Sequence, residues 1–197
     1  MASKFYAVRK GKKTGIYRSW DECKSMVDGY PGAQYKSFVT KPEAEAFLQM
    51  DSQAEEILPK DAIAFVDGSY NQVTKTYGYG GFLQYEGQKI VLQGSGNDEE
   101  MASMRNVAGE VLGSMAAMEK AIELGLPKLI IYYDYMGIEM WAKGLWKRNK
   151  KGTIAYYDYV NTIKDKIDLQ FRKVKGHSGV EGNEEADRLA KESVGIL

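Results

Sequence analysis

Several residue types that build common functional sites are rare in this chain of 197 residues. Its only cysteine is Cys23, which excludes an internal disulfide and a cysteine-rich zinc site and favours a reducing compartment. No apolar run approaches the length of a membrane span, and the opening MASKFYAVRKGKK has no apolar core of a signal peptide. We therefore expect a cytoplasmic protein that does not enter a membrane.

The chain also lacks net charge, with 27 basic and 27 acidic residues, but the charges are unevenly distributed. Residues 1–41 contain nine Lys and Arg against three Asp and Glu, whereas the remainder contains 18 against 24. A basic segment before an acidic one fits a nucleic-acid-binding module joined to a module that needs cations. Chance clustering on a solvated surface is the alternative interpretation.

Two units and a connection are predicted along the chain. Residues 1–50 predict a small ββαβα unit, in which Ser19 and Glu22 form a capping box that opens a helix near Trp20. Residues 51–60, DSQAEEILPK, are polar and acidic and contain Pro59 near their end, which is typical of an interdomain linker. Residues 61–197 are predicted to form the second unit.

The second unit has the pattern of an α/β protein. The continuous apolar runs AIAFVD and KLIIYYD predict buried strands that lie side by side and parallel. Between them an apolar stripe begins at Met104 and steps through Ile122 at helical spacing. Together with three further strands and a closing helix, this predicts a mixed five-stranded sheet with helices on both faces.

Four acidic residues stand where these elements meet. Asp67 and Asp134 are predicted to end the two apolar strands, Glu110 lies at the edge of the helical stripe, and Asp187 borders the apolar face of the closing helix. Carboxylates beside buried surfaces are costly unless a positive charge compensates them, and Mg²⁺ does so with few protein ligands. Individually, each acid has an ordinary interpretation as a turn former, a solvated residue or a partner of Arg188 or Lys191.

The combination of segments is more specific than any single acid. The order is FVDGSYN, AGEVLGSMAAMEKA, YYDYMGIEMW and GHSGVEGNEEADRLA, and it resembles ribonuclease H of cellular type 1. Tyr135 stands where that family often has serine. The segment FYAVRKGKKTGIYRSWDECKSMVDGYPGAQYKSF resembles the hybrid-binding domain fused to many ribonucleases H.

The resemblance implies a fold, an activity and a metal site. The fold is the ribonuclease H-like mixed sheet, preceded by the hybrid-binding domain. The activity is endonucleolytic hydrolysis of the RNA strand of RNA–DNA hybrids by two-metal-ion catalysis, which leaves 5′-phosphate and 3′-hydroxyl ends. Two Mg²⁺ ions, with Mn²⁺ as a substitute, would be held by Asp67, Glu110, Asp134 and Asp187. His177, the only histidine, would transfer a proton or assist product departure.

The resemblance also implicates residues in nucleic-acid binding. In the N-terminal unit these are Tyr6, Trp20, Tyr35 and Lys36, although Tyr6 and Trp20 also fit a core role. Near the acids they are Gly68, Ser69 and Asn106, which would face the minor groove of the hybrid. The partner is an RNA–DNA hybrid, with double-stranded RNA as an alternative for the N-terminal unit, and we expect a monomer.

A basic and aromatic patch follows the third acidic segment. It comprises Trp141, Lys143, Trp146, Lys147, Arg148, Lys150 and Lys151. Trp146 and Lys147 are the candidates for holding the DNA backbone by charge and stacking. A solvated helix and loop with structural tryptophans explains the same pattern equally well.

Two other functions remain open from the sequence. A non-catalytic binder of hybrids or of double-stranded RNA would keep the N-terminal unit, but it has no need for a costly acidic cluster. Another nuclease or a recombinase would share the sheet, since a fold alone does not fix function.

Overall fold

The computed structural model describes residues 4–49, 61–174 and 181–197. The chain separates into two units, divided between residues 57 and 58. The predicted linker and His177 lie outside the described residues. Among the helices within those ranges, none is both long and apolar enough to cross a membrane.

The N-terminal unit has the predicted order of strands and helices. Its elements are β1 (Phe5–Lys10), β2 (Gly15–Tyr17), α1 (Trp20–Val27), β3 (Gln34–Phe38) and α2 (Lys41–Gln49). The strands form an antiparallel sheet in the order β2-β1-β3. The predicted capping box is present, because Ser19 and Glu22 exchange hydrogen bonds between side chain and backbone at 3.3 Å in both directions.

The C-terminal unit is a mixed α/β sheet of five strands, as predicted. Its strands are β4 (Ala62–Asn71), β5 (Thr76–Tyr85), β6 (Gln88–Gly96), β7 (Lys128–Tyr133) and β8 (Asp168–Lys173). Its helices are α3 (Glu99–Ala102), α4 (Asn106–Glu123), α5 (Gly137–Ala142), α6 (Lys151–Ile163) and α7 (Glu181–Ser193). The strand order is β6-β5-β4-β7-β8, with β4, β7 and β8 parallel.

The alternation of side chains along β4 places α4 and α7 on opposite faces of the sheet. Ala64 and Val66 pack in the main core with Val111 of α4. Phe65, which points the other way, packs with Ala186 of α7. The prediction of helices on both faces is confirmed.

The structure corrects two element boundaries. Asp67 does not end its strand but lies inside β4, because the antiparallel partner β5 continues to pair through Asn71, whereas parallel pairing with β7 stops at Phe65. The main helix begins at Asn106 rather than at Met104. Arg105 has φ of 54°, a left-handed value that interrupts the helix after the short α3, which the sequence did not predict.

The helix α4 approaches the sheet closely at Gly109. A Cβ atom at this position would lie 1.8 Å from the carbonyl oxygen of Gly78 in β5 and 2.9 Å from the Cα of Gly68 in β4. The contact is between backbones, which cannot move aside as a flexible side chain does. The absence of a side chain at Gly109 therefore sets the distance between α4 and the sheet, and with it the position of Glu110.

We expect Gly109→Ala to lower the free energy of unfolding by about 2 kcal/mol, because overpacking outweighs the gain of about 1 kcal/mol in helix propensity. Gly113→Ala is the matched control on the same helix. Its Cβ would meet the Cβ of Tyr79 at 3.0 Å, a milder contact that should cost much less. Urea denaturation of both variants measures the difference, and equal stabilities would contradict this account of the packing.

Candidate active site

Three carboxylates from separate segments of the C-terminal unit lie close together. Asp67 of β4, Glu110 of α4 and Asp134, which directly follows β7, each place a carboxylate oxygen within 4.8 Å of the other two. They border an open pocket of about 350 Å³. The predicted convergence of these three acids is therefore present in the structure.

Glu110 is the most deeply buried of the three, with 3% of its surface exposed. Burial raises the pKa of Glu110 well above its usual value, and the nearby Asp134 and Asp67 raise it further, against the backbone N–H of Tyr135, which lowers it. Among the described residues its Oε2 atom has no hydrogen-bond partner. A buried carboxylate oxygen without a partner, facing two other acids, fits a divalent cation.

Asp67 has a similar electrostatic environment. Burial is the main cause that raises the pKa of Asp67 to about 7, with further contributions from Asp134 and Asp187. The backbone N–H of Gly68 donates to its Oδ1 at 2.7 Å and, with Lys191, acts in the opposite direction. Burial and the neighbouring acids therefore both disfavour the ionised form of Asp67.

Asp187 borders the same pocket but does not join the set of three. Lys191, one turn later in α7, donates to its Oδ2 at 2.7 Å. Of the two ion pairs that the sequence left open, the one with Lys191 is formed, while Arg188 pairs with Glu192. Asp187 therefore has a cationic partner, Lys191. The described ion pairs include none for the other three acids.

Gly68 also lines the pocket, and its position has a steric explanation. A Cβ atom on Gly68 would lie 2.1 Å from the backbone oxygen of Asn106 and 2.9 Å from the Cγ of Glu110. Any other side chain at this position would collide with the first turn of α4 and with Glu110. Glycine at position 68 therefore allows Glu110 to lie close to Asp67. Asn106 borders the pocket at the start of α4, whereas Ser69 pairs with Gly78 and is not among the lining residues.

Tyr135 lines the pocket as well, which the sequence reasoning missed. Its ring lies 5.7 Å from that of Trp141 and 6.3 Å from that of Trp146, between centroids. Burial and the neighbouring Glu110 raise the pKa of Tyr135. Its place directly after Asp134 was the signal available in the sequence.

Part of the basic and aromatic patch is engaged within the chain. Trp141 is 8% exposed and belongs to the core, so the structural interpretation holds for this tryptophan. The Arg148 guanidinium lies 4.0 Å from the ring centroid of Tyr157 and donates to the carbonyl of Trp146. Trp146 is half-buried and Lys147 is exposed, so both are accessible to a ligand.

The aromatic residues singled out in the N-terminal unit form a row. The ring of Trp20 lies 5.9 Å from that of Tyr6 and 5.8 Å from that of Tyr35. Trp20 is 42% exposed and Tyr35 is 45% exposed, so neither is a core residue. Lys36 follows in the edge strand β3, and burial lowers its pKa to about 8.

The raised pKa values predict how pH affects stability without metal. A carboxyl whose pKa is higher in the folded than in the unfolded protein destabilises the fold once it ionises, so the penalty of Asp67 develops from about pH 4 to about pH 7. In EDTA at pH 8 we expect Asp67→Asn to raise the free energy of unfolding by about 1 to 3 kcal/mol, and by much less at pH 4. Chemical denaturation measures both values.

Asp158→Asn, at an exposed position of α6, is the control for this experiment. It should give the same small difference from the wild type at both pH values. A gain for Asp67→Asn that does not depend on pH would contradict the electrostatic explanation.

Comparison with known proteins agrees with this geometry. The family described as Ribonuclease H1 N-terminal domain matches residues 4–48, and the RNase H family matches residues 59–194. Human ribonuclease H1 is 28% identical over 95% of this chain and 88% of its own length. Ribonuclease H of Saccharomyces cerevisiae is 61% identical over 44 residues, which are 22% of this chain and 13% of its own.

Solved structures share the fold of the C-terminal unit. RNase H1 of Halobacterium salinarum has a TM-score of 0.53 at 21% identity and covers 68% of this chain and 96% of its own. LC11-RNase H1 in complex with an RNA/DNA hybrid has a TM-score of 0.52 at 14% identity, with 67% and 98% covered. The chain therefore belongs to the ribonuclease H family of hydrolytic nucleases and carries a ribonuclease H1 N-terminal domain before its RNase H domain.

Proposed function

We propose that this protein is an endonuclease that hydrolyses the RNA strand of RNA–DNA hybrids with two Mg²⁺ ions. The observation that carries the proposal is the meeting of Asp67, Glu110 and Asp134 within 4.8 Å, with one buried oxygen of Glu110 left without a partner. A pure binding protein has no use for this arrangement, because clustered buried carboxylates destabilise a fold that does not neutralise them.

The chemistry divides between the cations and the chain. Two bound Mg²⁺ ions would supply an activated water and stabilise the oxygen that leaves in an in-line displacement at phosphorus. Asp67, Glu110 and Asp134 would hold them, and Asp187 would contribute from the border of the pocket when its contact with Lys191 opens. Cleavage of the bond from phosphorus to the 3′ oxygen leaves 5′-phosphate and 3′-hydroxyl ends.

Recognition of the hybrid would depend on polar groups beside the acids. An A-like duplex presents its 2′-hydroxyls in a wide minor groove, where side chains can reach them. Asn106 and the backbone of Gly68 border the pocket and are placed for such contacts. Ser69 and His177 stay predictions, and replacement of His177 should slow turnover if it moves a proton or releases the product.

The N-terminal unit would hold the substrate near this site. The exposed rings of Trp20 and Tyr35 in its aromatic row can stack on sugars or bases, and basic residues such as Lys36 would hold phosphates. Tethering a second binding unit raises the local concentration of substrate at the catalyst. Trp146 and Lys147 would add a contact to the DNA backbone from the C-terminal unit.

The test of the activity is cleavage of labelled RNA–DNA, RNA–RNA and single-stranded RNA with Mg²⁺, with Mn²⁺ and with EDTA. With Mg²⁺ we expect cleavage of the RNA–DNA hybrid and of neither other substrate, and in EDTA we expect no cleavage. Asp67→Asn should lower the rate of hybrid cleavage by about 10³-fold or more, because a metal ligand is removed. Hybrid binding should be largely retained. Asp158→Asn is the control, and hybrid cleavage by Asp67→Asn at the wild-type rate would refute the metal assignment.

Replacement of Trp20 and Tyr35 by alanine in the full chain tests the N-terminal unit. We expect hybrid affinity to fall about tenfold or more, since stacking contributes about 1 to 3 kcal/mol per base. Tyr30→Ala removes another exposed aromatic of the same unit, outside the row, and should leave affinity unchanged. Competition with double-stranded RNA in a gel-shift assay identifies the preferred ligand, and equal affinities of all variants would exclude the aromatic row as the binding surface.

A further inference from the structure

Glu139 of α5 is a buried carboxylate that takes no part in the set of three acids. It is 3% exposed, and it does not line the acidic pocket. Both of its oxygens are bonded within the chain. The hydroxyl of Tyr133 donates to Oε2, and the ammonium of Lys143 lies 2.6 Å from Oε1. A buried charge with two charge-assisted hydrogen bonds is a strong local constraint.

The bond from Tyr133 spans the turn that carries Asp134, whereas the bond from Lys143 lies within α5 and its C-cap. Tyr133 is the last residue of β7, and Glu139 lies in the first turn of α5. Asp134, Tyr135 and Met136 form the connection between them. The helix α5 has six residues and no side-chain cap at its start, so it gains little stability from its own backbone. The bond from Tyr133 to Glu139 therefore closes the turn across its base.

The same polar cluster extends toward Glu110. The hydroxyl of Tyr156, which is fully buried in α6, has no hydrogen-bond partner among the described residues. Burial and the charge of Glu139 raise the pKa of Tyr156, and Ser114 acts in the opposite direction, so both side chains lie near it. Ser114 in turn donates to the backbone oxygen of Glu110 at 2.8 Å. Ser114 of α4, Glu139 of α5 and Tyr156 of α6 are thus all buried in the C-terminal unit.

We propose that Glu139 and Tyr133 are positioning residues that hold Asp134 against Asp67 and Glu110, so that the cation site exists before cations bind. This rests on the proposed function, because it requires that the three acids bind divalent cations. Without a cation the three carboxylates repel each other, and Asp134 is the one attached to a turn rather than to a regular element. Groups that orient metal ligands commonly change metal affinity 10- to 100-fold when they are removed.

The experiment compares Tyr133→Phe, Glu139→Ala and Glu139→Gln in the full-length protein. Mg²⁺ affinity is measured without substrate from the rise in melting temperature with Mg²⁺ concentration, and then from the Mg²⁺ concentration that half-saturates cleavage. We expect Tyr133→Phe and Glu139→Ala to weaken Mg²⁺ binding about tenfold. Glu139→Gln should stay within about threefold of the wild type, because its amide oxygen can still accept from Tyr133.

Ile163→Ala is the control for a general loss of stability. Ile163 is a 3% exposed core residue of α6, and its replacement should lower the melting temperature without changing Mg²⁺ affinity. Hybrid affinity in EDTA should be equal in all variants.

The outcomes separate this inference from the proposed function. If the wild type shows no Mg²⁺-dependent stabilisation, the proposed metal site fails. If the wild type binds Mg²⁺ and Tyr133→Phe binds it equally well, the positioning role is overturned, whether or not Glu139→Ala folds. The role is also overturned if Ile163→Ala weakens Mg²⁺ binding as much as Tyr133→Phe, since reduced stability alone would then explain the effect.

Discussion

Mutual repulsion among three carboxylates is the constraint on which the C-terminal unit depends. Asp67, Glu110 and Asp134 are held within 4.8 Å, although burial and their neighbours disfavour the ionised forms of Asp67 and Glu110. The fold opposes this repulsion with rigid supports, a strand for the first acid and a long helix for the second. Divalent cations would neutralise such a cluster, so holding the carboxylates together before binding favours the bound cation.

The supports are steric as much as electrostatic. At Gly68 and Gly109 the structure has no room for a Cβ atom. The helix that carries Glu110 packs this closely on the sheet because neither residue has a side chain. A substitution at either position would move the Glu110 carboxylate without changing its chemistry. The packing of helix against sheet and the geometry of the site are therefore one property of this unit.

The sequence predicted the elements that short-range patterns encode. Continuous apolar runs gave the adjacent parallel strands β4 and β7, and the capping box at Ser19 and Glu22 gave the start of α1. It failed where distant partners decide, because the extension of β4 beyond Asp67 depends on pairing with β5, which no local pattern reveals. The left-handed break at Arg105 was likewise hidden, since arginine is not a residue that marks such a conformation.

In the candidate site, too, the sequence predicted what short-range patterns encode and missed contacts that form only in the folded core. The three acids were predictable because each borders an apolar run in the sequence and the resemblance supplied their combination. The contacts of Glu139 with Tyr133 and Lys143 were not, because an acid at helical spacing from a lysine reads as a solvated pair on the surface. Burial of the Glu139 carboxylate is a property of the assembled core and is absent from the sequence pattern.

The location of Asp67 inside β4, rather than at its end, makes the two sides of the pocket mechanically unequal. Asp67 lies on the central strand of the sheet and pairs with Gly80 of β5, while Asp134 stands on a three-residue connection between β7 and α5. A change in the distance between these two acids would therefore come from displacement of Asp134 rather than of Asp67.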